Sequence, residues 1–182
     1  MLEDRPHLKW PSKFHAVQFY VNEPFLIRSL SSFVRDGQKT NGTVIVIATE
    51  AHCTMLKEAV PHLDQGKLIL ANAVELLSQF MTDDRPDKTR LLKVFGELHE
   101  QVTPGDRVFI FGEMAPLLCA QGLHRAAIML EQLGGMLSTE YGVSILCGYP
   151  HWLYEQNDTE LLSGIYQTHT HLRVAGSIVP LS

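Results

Sequence analysis

The segment TVIVIATEAHCT, residues 43–54, joins an uninterrupted run of apolar, mostly β-branched residues directly to a polar stretch. An apolar run of this kind is typical of a strand covered on both faces, and hence of a parallel sheet with helices on either side. The polar residues after it can begin a helix. Because many α/β proteins hold a phosphate at such a junction, the segment predicts an α/β fold and raises the question of what the junction binds.

Strand-like and helix-like patterns alternate along the rest of the chain. The predicted strands are residues 13–20, 43–48, 67–71, 107–111 and 144–149. The predicted helices are one capped by Asn22 and stopped at Gly37, one ending before Pro61, a short turn at 114–118, and longer ones within 91–102, 123–141 and 157–169. This alternation predicts one domain over residues 1–182, an α/β three-layer sandwich with a mainly parallel sheet.

Composition excludes several classes of function. The net charge is -5, with 15 Lys+Arg against 20 Asp+Glu and no basic run, so we expect no direct contact with nucleic acid. The cysteines at 53, 119 and 147 are widely spaced in apolar segments, which favours reduced core thiols over disulfides. With no signal-peptide pattern and no apolar stretch of membrane-spanning length, the sequence predicts a cytoplasmic protein without a membrane partner.

The junction at residues 49–54 lacks the features of a P-loop. That motif, G-x-x-x-x-G-K-[ST], needs glycines and a lysine, but no glycine lies between Gly42 and Gly66, and the nearby lysine, Lys57, lies further along the helix. Glu50 would repel a phosphate. It is either a solvated residue favoured by the positive end of the helix dipole or a direct ligand contact.

Two further strand ends carry candidate binding residues. Glu113 and Met114 follow strand 107–111, where Glu113 is either a ligand or switch residue or a structural cap or ion-pair residue. The strand at 144–149 ends at Tyr149 and is followed closely by His151 and Trp152. These side chains either line a pocket for a planar or apolar molecule or pack on the next loop. Ligands of open parallel sheets bind outside the carboxyl ends of the strands, so these residues are candidates for one site.

Sequence spacing gives no sign of a metal or catalytic centre. The chain has 9 histidines, but they are scattered, and neither H-x-x-x-H nor H-E-x-x-H occurs. His169 and His171 are two residues apart, which on a helix points them to different faces. The nucleophile motif G-x-S-x-G is also missing. We therefore predict no catalytic residues, no metal and no cofactor.

The chain as a whole resembles the MEDS domain, the sensory domain of methanogen and methylotroph signalling proteins that include the dichloromethane repressor. The resemblance covers residues 14–172 and rests on short stretches found in order. They are His15 to Tyr20 as H-x-x-x-F-Y, TVIVIATEAHCTML at 43–56, FGEM at 111–114, LL at 117–118, the helix of Glu131, LCGYP at 146–150, and His169. The family is similar to the KaiC branch of RecA-like ATPases, with the phosphate-binding loop degenerate or lost.

This resemblance implies a non-enzymatic sensory domain that binds a small organic ligand or a partner protein and relays a signal to a histidine kinase or a transcription regulator. We also expect a homodimer. The alternatives are a RecA-like nucleotide-binding protein with unusual phosphate contacts and a pure protein-interaction scaffold. The predicted ligand-binding residues are His15, Tyr20, Glu50, Glu113, Met114, Tyr149 and His151.

Overall fold

A mainly parallel seven-stranded sheet forms the centre of the protein, whose computed structural model describes residues 10–155, 158–174 and 176–181. The strands are β1 (His15–Tyr20), β2 (Gly42–Ala48), β3 (Leu68–Asn72), β4 (Met81–Thr82), β5 (Arg85–Pro86), β6 (Arg107–Gly112), β7 (Ser144–Pro150), β8 (His171–Val174) and β9 (Ser177–Pro180). The helices are α1 (Glu23–Lys39), α2 (Glu50–Ala59), a 3-10 turn (Gln65–Lys67), α3 (Ala73–Phe80), α4 (Lys88–His99), α5 (Met114–Ala120), α6 (His124–Tyr141), α7 (Trp152–Glu155) and α8 (Thr159–Thr168).

The strand order in the sheet is β3-β2-β6-β7-β1-β8-β9. Every pairing in it is parallel except that of β8 with β9, while β4 and β5 form a separate antiparallel pair. The predicted α/β architecture with a mainly parallel sheet is confirmed. No helix among the described residues has the length and apolar character needed to cross a membrane.

Helices cover both faces of the sheet and create two apolar layers. On one face α1 and α2 share an apolar cluster with Val44 and Val46 of β2, and on the other α3 to α6 and α8 share one with Ile45 and Ile47. Successive side chains of a strand point to opposite faces, so a strand buried on both must be apolar at every position. This is the physical reason for the continuous run at residues 43–48.

The predicted strands are all present within two residues of their expected ends. The Asn22 cap is confirmed, because its side chain accepts a hydrogen bond from Phe25 N at 2.9 Å. The predicted stop at Gly37 is wrong, since α1 continues to Lys39. Gly37 serves close packing instead: a Cβ there would lie 2.8 Å from Val44 Cγ2.

Several short elements were not predicted, namely α3, the β4–β5 pair, α7, β8 and β9. Asp158 caps α8 by accepting from Leu161 N at 2.9 Å, whereas Asn157, also expected there, lies outside the described residues. His169 is the residue that ends α8 rather than part of its apolar stripe.

The sheet topology opens a crevice at one edge. From β2 the chain passes to β3 on one side, and from β6 it passes to β7 on the other. At such a switch point the helices that follow the two strands diverge and leave space outside the carboxyl ends. The carboxyl ends of β1 and β7 lie on the same side of the sheet as those of β2 and β6.

Candidate functional site

A cleft of about 720 Å³ lies outside the carboxyl ends of the parallel strands. Its volume is within the range of ligand-binding pockets. Its lining includes Tyr20, Glu23, Thr49, His52, Glu113, Leu117, His151, Trp152 and Glu155. We call it the carboxyl-end cleft.

Glu113 joins three strand ends at the base of this cleft. Its carboxylate accepts hydrogen bonds from His52 Nδ1 at 2.8 Å, from the Thr49 backbone N–H at 3.2 Å and from the Tyr20 hydroxyl at 3.4 Å. These donors come from α2, from the β2–α2 junction and from β1. The side chain of Glu113 is only 3% exposed, so it is a structural ion-pair residue as well as a wall of the cleft.

Glu113 raises the pKa of both side chains that donate hydrogen bonds to it. The hydrogen bond to Glu113 raises the pKa of His52 against the opposing effect of partial burial, and Glu23 adds to the rise from 3.7 Å away. Burial, and then the same Glu113 carboxylate, raises the pKa of Tyr20 above its usual range. Glu113 therefore favours the protonated form of both side chains.

These contacts answer the question raised by residues 49–54. Thr49 caps α2, with its hydroxyl accepting from His52 N at 3.3 Å, while its own backbone N–H donates to Glu113. The strand-to-helix junction thus holds a carboxylate of the same chain. Glu50, in the first turn of α2, is exposed and does not line the cleft.

The structure brings together only some of the residues predicted for one ligand site. Tyr20, Glu113 and His151 line the carboxyl-end cleft. Met114 lines a separate apolar cavity instead. His15 lies at the amino end of β1, and the fully buried Tyr149 points to the α6 side of the sheet, so neither reaches the cleft.

His15 and Tyr149 belong to a second polar cluster, buried under α6. At its centre is Glu131, which accepts hydrogen bonds from His15 Nε2 at 3.1 Å, from Cys147 Sγ at 3.1 Å and from the Tyr149 hydroxyl. The His169 ring stacks on His15 with a centroid distance of 4.1 Å. We call His15, Glu131, Cys147 and His169 the Glu131 cluster.

Burial and charge oppose each other in the Glu131 cluster. Burial alone would raise the pKa of Glu131, but the imidazoles of His169 and His15 hold it well below its usual range. Burial, reinforced by the nearby carboxylate, raises the pKa of the Cys147 thiol. The same two causes raise the pKa of Tyr149.

An apolar cavity of about 90 Å³ adjoins the Glu131 cluster. Its walls are aliphatic and aromatic side chains of α3, α4, α5 and α6, and its polar boundary includes Glu131 and Cys147. A larger cavity of about 150 Å³ lined by apolar side chains can hold benzene, so this one suits a molecule of only a few heavy atoms.

Sequence reasoning assigned no site role to His52, Glu131, Cys147 or His169. His52 lies within residues 43–54, at the third position of α2. Because β2 and β6 are neighbours, a polar residue just after β2 could have been expected to contact Glu113 just after β6. Glu131 is an acidic residue on the apolar side of α6, which is the one local signal of a buried partner. The partners of Glu131 are 116 and 16 residues away for His15 and Cys147, so spacing could not reveal them.

A family model described as MEDS, the MEthanogen/methylotroph, DcmR Sensory domain, matches residues 14–170. The match spans every strand from β1 to β7, all eight helices and both polar clusters. No curated protein shows significant similarity to the chain.

Proposed function

The chain belongs to the MEDS family of sensory domains, and on that premise we propose that it binds a small organic molecule in the carboxyl-end cleft and relays the event to a partner protein. The observation that carries this proposal is the convergence of Tyr20, His52 and Glu113 at the base of the cleft. Ligand pockets of this volume combine apolar walls with a small number of polar groups that orient the ligand, and these three side chains would be such groups.

The lining of the cleft indicates the chemistry of the ligand. Trp152, which is 42% exposed, and Leu117 offer apolar surface, while Tyr20 and His52 offer polar contacts. The carboxylates of Glu23 and Glu155 also face this space, so an anionic ligand would meet like charge. A neutral or cationic molecule with a small apolar part, such as an alcohol or an amine, fits this lining.

The hydrogen-bond chain also offers a route for the signal. Glu113 holds the ends of β1 and β2 together with the start of α5, so a ligand that displaces His52 or Tyr20 changes the support of all three. Ligand binding can shift a conformational equilibrium only by its difference in affinity for the two states. The alternative positions of His52 and Tyr20 would supply that difference.

The proposed partner is a histidine kinase or regulator, or a second copy of this chain. Within the described residues β9 forms one edge of the sheet, and Val174 and Val179 beside that edge are 50% and 40% exposed. An open edge can pair with another chain. Sedimentation velocity over a wide concentration range tests the homodimer, and a single monomeric species throughout would contradict it.

We further propose that the domain is non-enzymatic and is a KaiC-like relative in which the phosphate site is lost. Two observations support this view. The sheet is mainly parallel, and the Thr49 N–H that a phosphate at this junction would need is already bound to Glu113.

A thermal-shift screen of small alcohols, amines and halogenated hydrocarbons tests the ligand proposal. A ligand at 100 times its dissociation constant stabilises the folded state by about 2.7 kcal/mol, which gives a clear shift. Trp152→Ala should remove the shift with little effect on the free protein, because the side chain is half exposed. Tyr141→Ala, a change of an exposed aromatic residue outside the cleft, is the control. A hit that stabilises the Trp152→Ala protein unchanged would place the ligand elsewhere.

A further inference from the structure

We propose that the Glu131 cluster binds one divalent transition metal ion of the zinc type. The site would use His15 Nε2, Glu131, Cys147 Sγ and His169 Nε2 as ligands. It lies under α6, away from the carboxyl-end cleft, and the proposal does not depend on a ligand in that cleft.

Four of the six distances between the ligand atoms are close to those of a tetrahedral site. All four lie within 4.8 Å of one another. Glu131 Oε2 is 3.1 Å from His15 Nε2, 3.1 Å from Cys147 Sγ and 3.3 Å from His169 Nε2, and Cys147 Sγ is 3.5 Å from His15 Nε2. Zinc bond lengths of about 2.0–2.3 Å place tetrahedral ligands about 3.3–3.6 Å apart. Small movements of these side chains would therefore admit the ion.

Both histidines are oriented as metal ligands are. His15 Nδ1 lies 2.8 Å from Thr168 O, and His169 Nδ1 lies 2.6 Å from Ile165 O. A hydrogen bond from Nδ1–H to a carbonyl orients each ring so that Nε2 points at the other ligands, and His15 Nε2 would bind a metal once it gives up the proton that bonds it to Glu131. The Glu131 carboxylate is oriented as well, because Tyr149 donates to Oε1 and Oε2 faces the other ligands.

His169 presents a buried nitrogen to the centre of this cluster. Its side chain is fully buried, and its Nε2 makes no hydrogen bond to any described residue, although Glu131 Oε2 lies 3.3 Å away. A metal ion among the four ligand atoms would satisfy this nitrogen.

Charge and ligand type favour a borderline divalent ion. A carboxylate and a thiolate would neutralise a 2+ ion. The desolvation penalty of the buried site would therefore be smaller than that of a single unpaired charge. Two imidazoles with one thiolate and one carboxylate suit zinc, cobalt or iron, whereas magnesium and calcium prefer oxygen ligands alone.

The local sequence of α6 makes room for the site. A Cβ at position 134 would lie 3.2 Å from His15 Nε2, and one at position 135 would lie 3.5 Å from His15 Nδ1. The consecutive glycines Gly134 and Gly135 thus allow α6 to approach the imidazole closely, one turn after Glu131. A larger residue at position 134 would crowd His15 Nε2, whereas a Cβ at position 135 would be in ordinary contact.

Metal analysis of the full chain tests the proposal. The protein is purified without a histidine tag or chelator, and its metal content is measured as isolated and after zinc is added and excess removed. We expect about one ion per chain. Cobalt should give the absorption bands of a tetrahedral site together with a thiolate-to-cobalt charge-transfer band in the near ultraviolet.

Matched variants identify the ligands. Cys147→Ser should abolish the charge-transfer band, and His169→Gln should lower the metal content, with circular dichroism to confirm that each variant is folded. Cys119→Ser is the control, because Cys119 is also a buried thiol but lies outside the cluster. Substoichiometric metal in both the isolated and the zinc-loaded protein would overturn the proposal. So would a charge-transfer band that survives Cys147→Ser.

Discussion

Glu113 combines a structural ion pair with a place in the wall of the carboxyl-end cleft. Its place directly after a buried strand suggested either a ligand or an ion-pair residue, and the structure shows it bonded to His52, Tyr20 and Thr49. The sequence could place Glu113 at a strand end but could not show that three donors from other elements would meet it. Those donors are 61 to 93 residues away in the chain.

Replacement of Glu113 by glutamine should destabilise the free protein. The amide keeps the volume but leaves the buried imidazole of His52 without its anionic acceptor, at a cost of about 2 kcal/mol. Urea unfolding should show a lower midpoint with an unchanged slope. Glu50→Gln removes an exposed carboxylate from the same region and should change stability by less than about 0.5 kcal/mol. Equal stability of the Glu113→Gln and parent proteins would show that the ion pair makes no net contribution to the free energy of unfolding.

The His52–Glu113 pair should also give a defined pH dependence. Because the pKa of His52 is raised in the folded state, its stabilising effect is fully present below the ordinary histidine value and is lost as pH rises through the raised value. The charged and titratable groups facing His52 are Glu113, Glu23 and Tyr20. The difference in unfolding free energy between the parent and His52→Gln should therefore shrink with rising pH. A difference that grows toward alkaline pH would contradict this sign.

At the scale of elements, the sequence pattern predicted the strands whose burial alone requires a particular run of residues. The strands at 43–48 and 107–111 were recognisable because strands buried on both faces need apolar residues throughout. The short β8 and β9 carry no such pattern, since their mixed burial comes from lying at the sheet edge. The Glu131 cluster was not predictable either, because β1, α6, β7 and the end of α8 meet only in the folded chain.

Gly37 provides a test of packing at the α1–β2 interface. Alanine has the higher helix propensity, by about 1 kcal/mol, but its Cβ would lie 2.8 Å from Val44 Cγ2 in the core. We expect the clash to dominate and Gly37→Ala to be destabilising by about 1–3 kcal/mol. The matched control is Gly96→Ala in α4, where no atom lies within 4 Å of the added carbon.

The control should be stabilised by up to about 1 kcal/mol, because only the propensity effect operates there. Thermal unfolding of both variants measures the two effects on the same scale. A Gly37→Ala protein as stable as Gly96→Ala would mean that α1 can move away from β2 at little cost. Such plasticity would make α1, which begins at the cleft, a mobile element of the sensor.

At the scale of the whole molecule, the fold combines a mainly parallel sheet with two separate polar centres. The carboxyl-end cleft is open and bordered by carboxylates, whereas the Glu131 cluster is closed and adjoins the small apolar cavity. The two centres lie on different parts of the same strands, since β1 carries His15 at one end and Tyr20 at the other. β1 therefore connects the two centres directly along the chain.

The cleft and the overall charge together predict that the protein does not bind Mg-ATP. A triphosphate needs backbone N–H groups and a lysine, but the Thr49 N–H is bonded to Glu113, and no lysine among the described residues lines the cleft. Glu23 and Glu155 add like charge at the cleft, and the whole chain carries -5. Titration calorimetry with Mg-ATP should give no measurable heat of binding, and adenosine serves as the phosphate-free comparison. Micromolar Mg-ATP binding without adenosine binding would mean that the cleft recognises phosphate by contacts other than a P-loop.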